Sequence, residues 1–120
     1  MHTTTIGNIK VWQLEEDGPQ LGSLQSALDL IGESFGGEIG LVAVPVARLA
    51  PDFLRLGSGL AGAFIEKMQQ YRLRVAIVGD ISERAANSKP LHDFVLETNR
   101  RGQHLFVRDD AELVEKMQRL

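Results

Sequence analysis

Two apolar runs constrain the fold of this chain more than any other feature of its sequence. Residues 39–44 read IGLVAV and residues 73–78 read LRVAIV, so each predicted strand is apolar on both of its sides. Strands of this kind lie inside parallel sheets that helices cover. Parallel neighbours require a long crossover, and the segment between the two runs is long enough to hold a helix. The sequence therefore predicts an α/β domain.

The segment before the first run predicts a hairpin and a helix. Residues 3–6 and 9–14 are β-prone and flank Gly7-Asn8, a dipeptide typical of a tight hairpin turn. Trp12 is expected to pack in the core, and the alternative is an exposed contact residue. Ser23 is expected to cap a helix that ends at Gly36-Gly37. Its predicted buried stripe, spaced by three and four residues, is Leu24, Ala27, Leu28, Ile31 and Phe35.

A second helix, from about residue 58 to residue 71, is predicted between the two apolar runs. Gly59 and Gly62 lie near one face of it, where small residues would let the helix approach the sheet closely. Residues 46–57 before this helix are expected to be a connecting stretch with a short helical turn. The predicted buried residues of the second helix are Leu60, Ala61, Phe64, Ile65 and Met68.

The last third of the chain predicts an irregular stretch at residues 81–89, followed by a helix, a strand and a helix. Ser88 and Pro90 fit the start of the first helix, and Gly102 fits its end. Its inner stripe is Leu91, Phe94, Val95 and Thr98. Residues 104–107 predict the last strand, and Asp109 with Glu112 form a capping box for the final helix. That helix is expected to bury Leu113, Val114, Met117 and Leu120.

The predicted order is β-β-α-β-α-β-α-β-α, an open mixed sheet that is mostly parallel after an N-terminal hairpin. A chain of 120 residues is expected to form one domain, residues 1–120. Its net charge of −3 favours neither nucleic acid nor an anionic membrane. The chain has no cysteine, which excludes disulfides and thiolate metal sites. Without a signal-peptide pattern or a long apolar run, the expected location is the cytoplasm.

Several short motifs resemble a known family over nearly the whole chain. They are ALDLIG at residues 27–32, PDF at 51–53, SGLAG at 58–62, YRLRVAIVGDIS at 71–82 and DFVLETNR at 93–100. In this order they are similar to the bacterial family catalogued as domain of unknown function 4180. That resemblance implies no particular activity.

The element order also resembles that of STAS domains, the fold of bacterial anti-sigma factor antagonists and of sulfate-transporter tails. Regulatory STAS domains carry an Asp-Ser-Ser-Gly-Leu-Gly-like sequence at the start of the second helix, where a partner kinase phosphorylates a serine. Ser58-Gly59-Leu60-Ala61-Gly62 lies at the corresponding place here. Leu56-Gly57 replaces the acidic lead-in, and residues 46–57 are an additional stretch. The resemblance implies regulation at Ser58.

Two groups of residues are candidates for a binding or regulatory site. Ser58 and Gly59 begin the second helix, where backbone N–H groups favour an anion, and Arg55 is a nearby donor. Ser58 also fits an ordinary N-cap. Asp80, with Ser82 after it, ends an interior strand at the edge where α/β sheets bind ligands. Asp80 also fits a turn in which its carboxylate accepts a backbone hydrogen bond.

These observations lead to three functional hypotheses. The first is a cytoplasmic regulatory or protein-interaction module controlled by phosphorylation at Ser58. The second is a sensor of a small molecule or anion that uses Arg55, Ser58 and Asp80. The third is a small enzyme in which Asp80, Asp93 and Arg84 converge.

No catalytic residue, metal or cofactor is assigned from the sequence. His2, His92 and His104 lie far apart along the chain and lack the i, i+4 spacing of a helical metal site. The expected partners are another protein or a second copy of the chain, and a small anion. The hairpin edge and Trp12 are the features that suggest a homodimer. Neither nucleic acid nor a membrane is expected as a partner.

Overall fold

Five strands form a single mixed sheet in which chain order and spatial order coincide, β1-β2-β3-β4-β5. The structure is a computed structural model that describes residues 1–119; Leu120, predicted to be buried, lies outside the described residues. The strands are β1 Thr3–Ile6, β2 Ile9–Gln13, β3 Leu41–Pro45, β4 Arg74–Val78 and β5 Leu105–Val107. β1 and β2 are antiparallel, and every later pair is parallel. The predicted α/β class, open mixed sheet and hairpin are confirmed.

Within residues 1–119, five helices connect and cover this sheet. They are α1 Leu24–Ser34, α2 Leu60–Gln70, α3 Ser82–Ala86, α4 Lys89–Arg101 and α5 Asp110–Met117, with short 3-10 turns at Val46–Arg48 and Leu56–Ser58. The helix α3 corrects the prediction of an irregular stretch at residues 81–89. It spans only five residues, too few for a periodic apolar stripe to reveal it. No helix within residues 1–119 is long and apolar enough to cross a membrane.

The two faces of the sheet have separate cores. On one face, α1, α2 and α4 pack over side chains such as Val42, Val75 and Phe106. On the other face, Leu113 and Met117 of α5 pack over the alternate residues of the strands. Both sides of β3 and β4 are therefore buried, as their apolar runs predict. Trp12 lies in the larger core and is buried, which confirms its predicted packing.

Helix ends follow the predicted capping chemistry at four positions. The hydroxyls of Ser23 and Ser88 accept hydrogen bonds from the N–H groups of residues three positions later. Gly102 ends α4 in the left-handed region, at φ 76°. Asp109 accepts from the N–H of Glu112 at 2.9 Å. Glu112 completes the capping interaction one residue earlier than the standard box, because it accepts from the N–H of Arg108.

The predicted buried stripe of α1 is wrong at three positions. Leu24, Leu28 and Phe35 are exposed, whereas α1 buries Ser26, Ala27, Leu30 and Ile31. The hydroxyl of Ser26 explains why a polar residue lies inside. It donates to the carbonyl of Ser23 and accepts from the N–H of Gly22, so both of its functions are satisfied. Val114 of α5 is likewise exposed rather than buried.

The connection between β3 and α2 contributes to the core, which the sequence did not reveal. Phe53 is fully buried and packs edge-to-face on Phe64 of α2, with ring centroids 5.7 Å apart. Gly22 makes room for this ring, because a Cβ at that position would lie 2.6 Å from Cδ2 of Phe53. Gly59 and Gly62 have no such role. Nothing lies within 4 Å of a Cβ built on either, so the predicted close approach to the sheet is wrong.

The side chain of Asn99 closes the β5 edge of the sheet. Its amide nitrogen donates to the carbonyl of Phe106 at 3.1 Å, and its amide oxygen accepts from the N–H of Phe106 at 2.7 Å. Asn99 thus pairs with the outward backbone groups of Phe106 as a neighbouring strand would. A sheet edge with satisfied groups offers no template for another chain.

We predict that Asn99→Ala lowers the free energy of unfolding by about 1–3 kcal/mol, because both outward groups of Phe106 lose their partner. Urea unfolding followed by circular dichroism measures this loss. Asn87→Ala is the matched control, since Asn87 makes one exposed hydrogen bond to the carbonyl of Glu83. Equal losses in the two variants would contradict the role assigned to Asn99.

Candidate functional site

Ser58 lies in the turn immediately before α2 rather than at its N-cap. Gly59 is the N-cap, at φ 77°, and contributes no side-chain hydrogen bond. The hydroxyl of Ser58 donates to the carbonyl of Asp52 at 2.8 Å and accepts from the N–H of Leu60 at 3.3 Å. The predicted N-cap at Ser58 is therefore wrong by one residue, although its oxygen still accepts a hydrogen bond from the first turn of the helix. Ser58 joins the preceding loop to α2.

Arg55 lies in the same turn as Ser58, but its guanidinium is directed elsewhere. It forms an exposed ion pair with Asp52, with 3.3 Å between Nη2 and Oδ1. Exposed pairs of this kind contribute little to stability. Arg55 and Arg84 both line a groove of about 450 Å³ between this loop and α3, which Asp52 and Glu83 also line. The groove therefore combines two basic and two acidic side chains.

Asp80 and Ser82 form a local turn at the carboxyl end of β4. Oδ1 of Asp80 accepts from the N–H of Ser82 at 2.9 Å, which is the turn that the sequence offered as the alternative to a ligand site. The hydroxyl and N–H of Ser82 lower the pKa of Asp80, and Arg108 lowers it further. The carboxylate is therefore charged at neutral pH. A small cleft of about 200 Å³ is lined by Asp80, Ser82, Arg108 and Glu112.

The predicted candidates thus fall into two groups that lie at different places in the fold. Arg55 lines the groove beside α3, and Ser58 and Gly59 lie in the turn and at the N-cap that precede α2, whereas Asp80 and Ser82 line the cleft that contains Arg108. Asp93, the second carboxylate of the enzyme hypothesis, is paired with Lys89 at 2.9 Å and His92 at 3.3 Å. The pair with Lys89 first, and His92 second, lower the pKa of Asp93.

No group of three or more His, Asp or Glu side chains in the described part of the chain is arranged to hold a metal ion. Two of the three histidines, His2 and His92, are exposed. The third, His104, is buried.

His104 is a buried polar joint that sequence reasoning missed. Only 6% of its surface is exposed, and its Nδ1 accepts from the N–H of Val75 at 3.1 Å. The ring proton therefore lies on Nε2, which donates to the side-chain oxygen of Gln69 at 3.0 Å. Burial lowers the pKa of His104, and Arg74 lowers it further. A neutral ring thus joins β4, α2 and the start of β5, below a groove of about 620 Å³ between α2 and α4.

The outer side of α1 carries a row of exposed apolar side chains. Leu24 is 50% exposed, Leu28 is 38% exposed and Phe35, directly after the helix, is 77% exposed. Spacings of four and seven place all three on one side of the helix. Gly32 lies beside this row, and nothing approaches a Cβ built on it within 4 Å. We call Leu24, Leu28, Gly32 and Phe35 the α1 row.

The α1 row lies on the α2 side of its helix. The opposite side of α1, with Ser26, Asp29 and Glu33, lines a cleft beside Trp12 and Gln13 of the hairpin. The groove between α2 and α4 is lined on α2 by Gly62, Glu66 and Gln69. Helix geometry then places the opposite side of α2, which faces away from α4, at Leu60, Ala63, Lys67 and Tyr71. Leu60 is half-buried and Tyr71 is 49% exposed. The α1 row is thus beside the helix that Ser58 precedes.

Fold and surface together define an α/β domain with a five-stranded mixed sheet and an apolar helix side open to solvent. The chain belongs to the protein family described as Domain of unknown function (DUF4180), whose model matches residues 6–117. This match confirms the resemblance seen in the sequence motifs. Searches of curated proteins and of solved structures returned no match. The resemblance to STAS domains stays a prediction from element order.

We predict that the domain loses stability as the pH falls below 6.5, the ordinary pKa of histidine, because His104 has a lowered pKa when folded. Below this pH the unfolded chain binds a proton at His104 that the folded chain excludes. The contribution of His104 to the free energy of unfolding is therefore complete above this pH and decreases below it. The slope is at most about 1.4 kcal/mol per pH unit for one proton.

Urea unfolding at a series of pH values between neutral and mildly acidic measures this slope. His104→Gln retains an acceptor and a donor but has no titrating ring, so its slope is expected to be smaller. Asp80, Asp93 and Glu97, whose pKa values are lowered, contribute only at more acidic pH. Identical slopes for His104→Gln and the wild type in this range would disprove the assignment.

Proposed function

We propose that this domain is a cytoplasmic regulatory module that binds a partner protein through the α1 row and the adjoining side of α2. The observation that carries the proposal is the exposure of Leu24, Leu28 and Phe35 on one side of α1. Large aromatic and aliphatic side chains clustered on a surface are typical anchors of protein interfaces. Phe35 is the most exposed large apolar residue of the described chain, at 77%.

Gly32 gives independent support to this surface. A glycine within a helix costs about 0.5–1 kcal/mol relative to alanine. Gly32 has no positive φ that would require glycine, and a Cβ there would meet no neighbour within 4 Å. The fold itself therefore gains nothing from glycine at this position. A partner would gain, because the missing side chain lets another backbone approach the helix between Leu28 and Phe35.

Control by phosphorylation of Ser58 is the second part of the proposal. A phosphorylated Ser58 has no hydroxyl proton to donate, so the 2.8 Å hydrogen bond to the carbonyl of Asp52 would be lost. The phosphate would instead attract the N–H groups that open α2 and the guanidinium of Arg55. Leu60, whose N–H bonds Ser58, lies on the side of α2 nearest the α1 row. Rearrangement of this turn would therefore alter the edge of the proposed binding surface, which the α1 row and the adjoining side of α2 form.

The anion-sensor alternative has less support. It relies on Arg55, Ser58 and Asp80 acting on one ligand, whereas Arg55 and Asp80 line different clefts. The feature in its favour is the pairing of Arg55 with Arg84 in one groove. Asp52 and Glu83 in the same groove offset that positive charge.

We predict that Phe35→Glu prevents capture of the partner, because it replaces the most exposed apolar side chain of the α1 row with a charge. Loss of one anchor residue costs about 2 kcal/mol or more, which corresponds to roughly thirtyfold weaker binding. Quantitative affinity purification from the native host, with the wild type and variants as baits, measures the loss. Leu96→Glu is the matched control, since Leu96 is 57% exposed but lies on α4.

Both substitutions are on exposed side chains, so thermal unfolding is expected to show folded variants of similar stability. If the Phe35→Glu bait captures the same proteins as the wild type at the same level, the proposed binding surface is wrong. Capture of nothing by the wild type would remove the proposal as a whole.

We predict that Ser58→Asp weakens capture of that partner, whereas Ser58→Ala retains it. Both variants lose the hydrogen bond to the carbonyl of Asp52, so they differ in charge: aspartate adds the negative charge that attracts the N–H groups at the start of α2, and alanine adds none. Peptide mass spectrometry of the protein purified from the native host is expected to locate a phosphoryl group at Ser58. An unmodified Ser58 under all growth conditions, with equal capture by the two variants, would refute this control.

A further inference from the structure

The structure points to a second interaction surface, at the β1 edge of the sheet, that is separate from the α1 row. We propose that β1 pairs antiparallel with β1 of a second copy of this chain, so that two five-stranded sheets join into one. Two features of the molecule support this pairing: the two edges of the sheet differ, and the backbone groups of Thr3 and Thr5 point outward.

The asymmetry is that one edge is closed and the other is open. At β5, Asn99 satisfies the outward N–H and carbonyl of Phe106. At β1, Thr3, Thr4 and Thr5 are all exposed, and no side chain within residues 1–119 bonds the outward backbone groups of Thr3 or Thr5. β1 also lacks the charged side chains and prolines that commonly protect edge strands.

The hairpin register shows which backbone groups face outward. The N–H of Gln13 donates to the carbonyl of His2 at 2.9 Å, so these two residues form a hydrogen-bonded pair. Hydrogen-bonded and non-hydrogen-bonded pairs alternate along an antiparallel ladder. Thr4 and Ile6 therefore also direct their backbone groups toward β2, across from Val11 and Ile9. The N–H and carbonyl groups of Thr3 and Thr5 point to the open edge.

These outward groups are self-complementary about a two-fold axis at Thr4. When two β1 strands run antiparallel with Thr4 opposite Thr4, each Thr3 lies opposite the Thr5 of the other copy. Both Thr3–Thr5 pairs are then hydrogen-bonded pairs, which gives four backbone hydrogen bonds. The side chains that meet across the junction are threonines, which pair favourably, and no like charges are brought together in β1. A second copy of this chain therefore fits the edge without any change in the hairpin.

Sedimentation velocity over a wide range of concentrations tests the proposal, with any affinity tag at the C-terminus. The wild type is expected to approach twice the mass of the 13.2 kDa chain as its concentration rises. Thr5→Pro removes an outward N–H from each copy, and proline is tolerated at an edge strand where the N–H faces solvent. We expect its dimer dissociation constant to rise at least about tenfold. Thr5→Val, which keeps the N–H, is expected to dimerise like the wild type.

Amide hydrogen exchange on the wild type gives a readout that does not depend on the folding of any variant. The amides of Thr3 and Thr5 are expected to exchange slowly in concentrated, dimeric samples and quickly in dilute ones, while that of Thr4 is protected in both. A wild type that stays monomeric, or a dimer with fast exchange at Thr3 and Thr5, would overturn the proposal. Phe35→Glu is expected to leave the dimer intact, so failure at the α1 row and failure at β1 are distinguishable.

Discussion

Each neighbouring pair of parallel strands in this sheet is joined by a crossover of one hand, and the position of most other elements depends on that constraint. Strands β2 to β5 follow one another across the sheet in chain order. Right-handed crossovers that advance in one direction place their helices on the same face. Accordingly α1, α2 and α4 share one core, and among the described helices only α5, which follows the last strand, covers the other face.

This arrangement explains which predictions could be made from sequence. The strands β3 and β4 are buried on both sides, so continuous apolar runs identify them whatever their neighbours are. Caps are also local: Ser23, Ser88 and Gly102 satisfy backbone groups a few residues away, and the chain order alone is sufficient to find them. Family membership was recognisable from motifs for the same reason, since each motif is a contiguous string.

The errors share a different cause, which is that they depend on contacts between distant segments. Two stripes on α1 have helical spacing and share Ala27 and Ile31, and periodicity cannot decide whether Leu30 or Leu28 completes the buried one. The hydrogen bonds of Ser26 to Gly22 and Ser23 favour the stripe that contains Leu30. Phe53 is buried by Phe64 and Gly22, and His104 by its partners Val75 and Gln69. No spacing rule relates these residues, and the separation of Arg55 from Asp80 is of the same kind.

The features that the fold does not use for its own stability lie on two surfaces. At the β5 edge, the side chain of Asn99 satisfies both outward backbone groups of Phe106, so this edge needs no further strand. β1 has the same kind of outward groups and receives no such side chain from residues 1–119. The α1 row likewise exposes three large apolar side chains beside a glycine that packs against nothing. Each arrangement is unfavourable for an isolated domain and becomes favourable when a second chain covers it, and this is the physical reason for proposing that the domain acts by association.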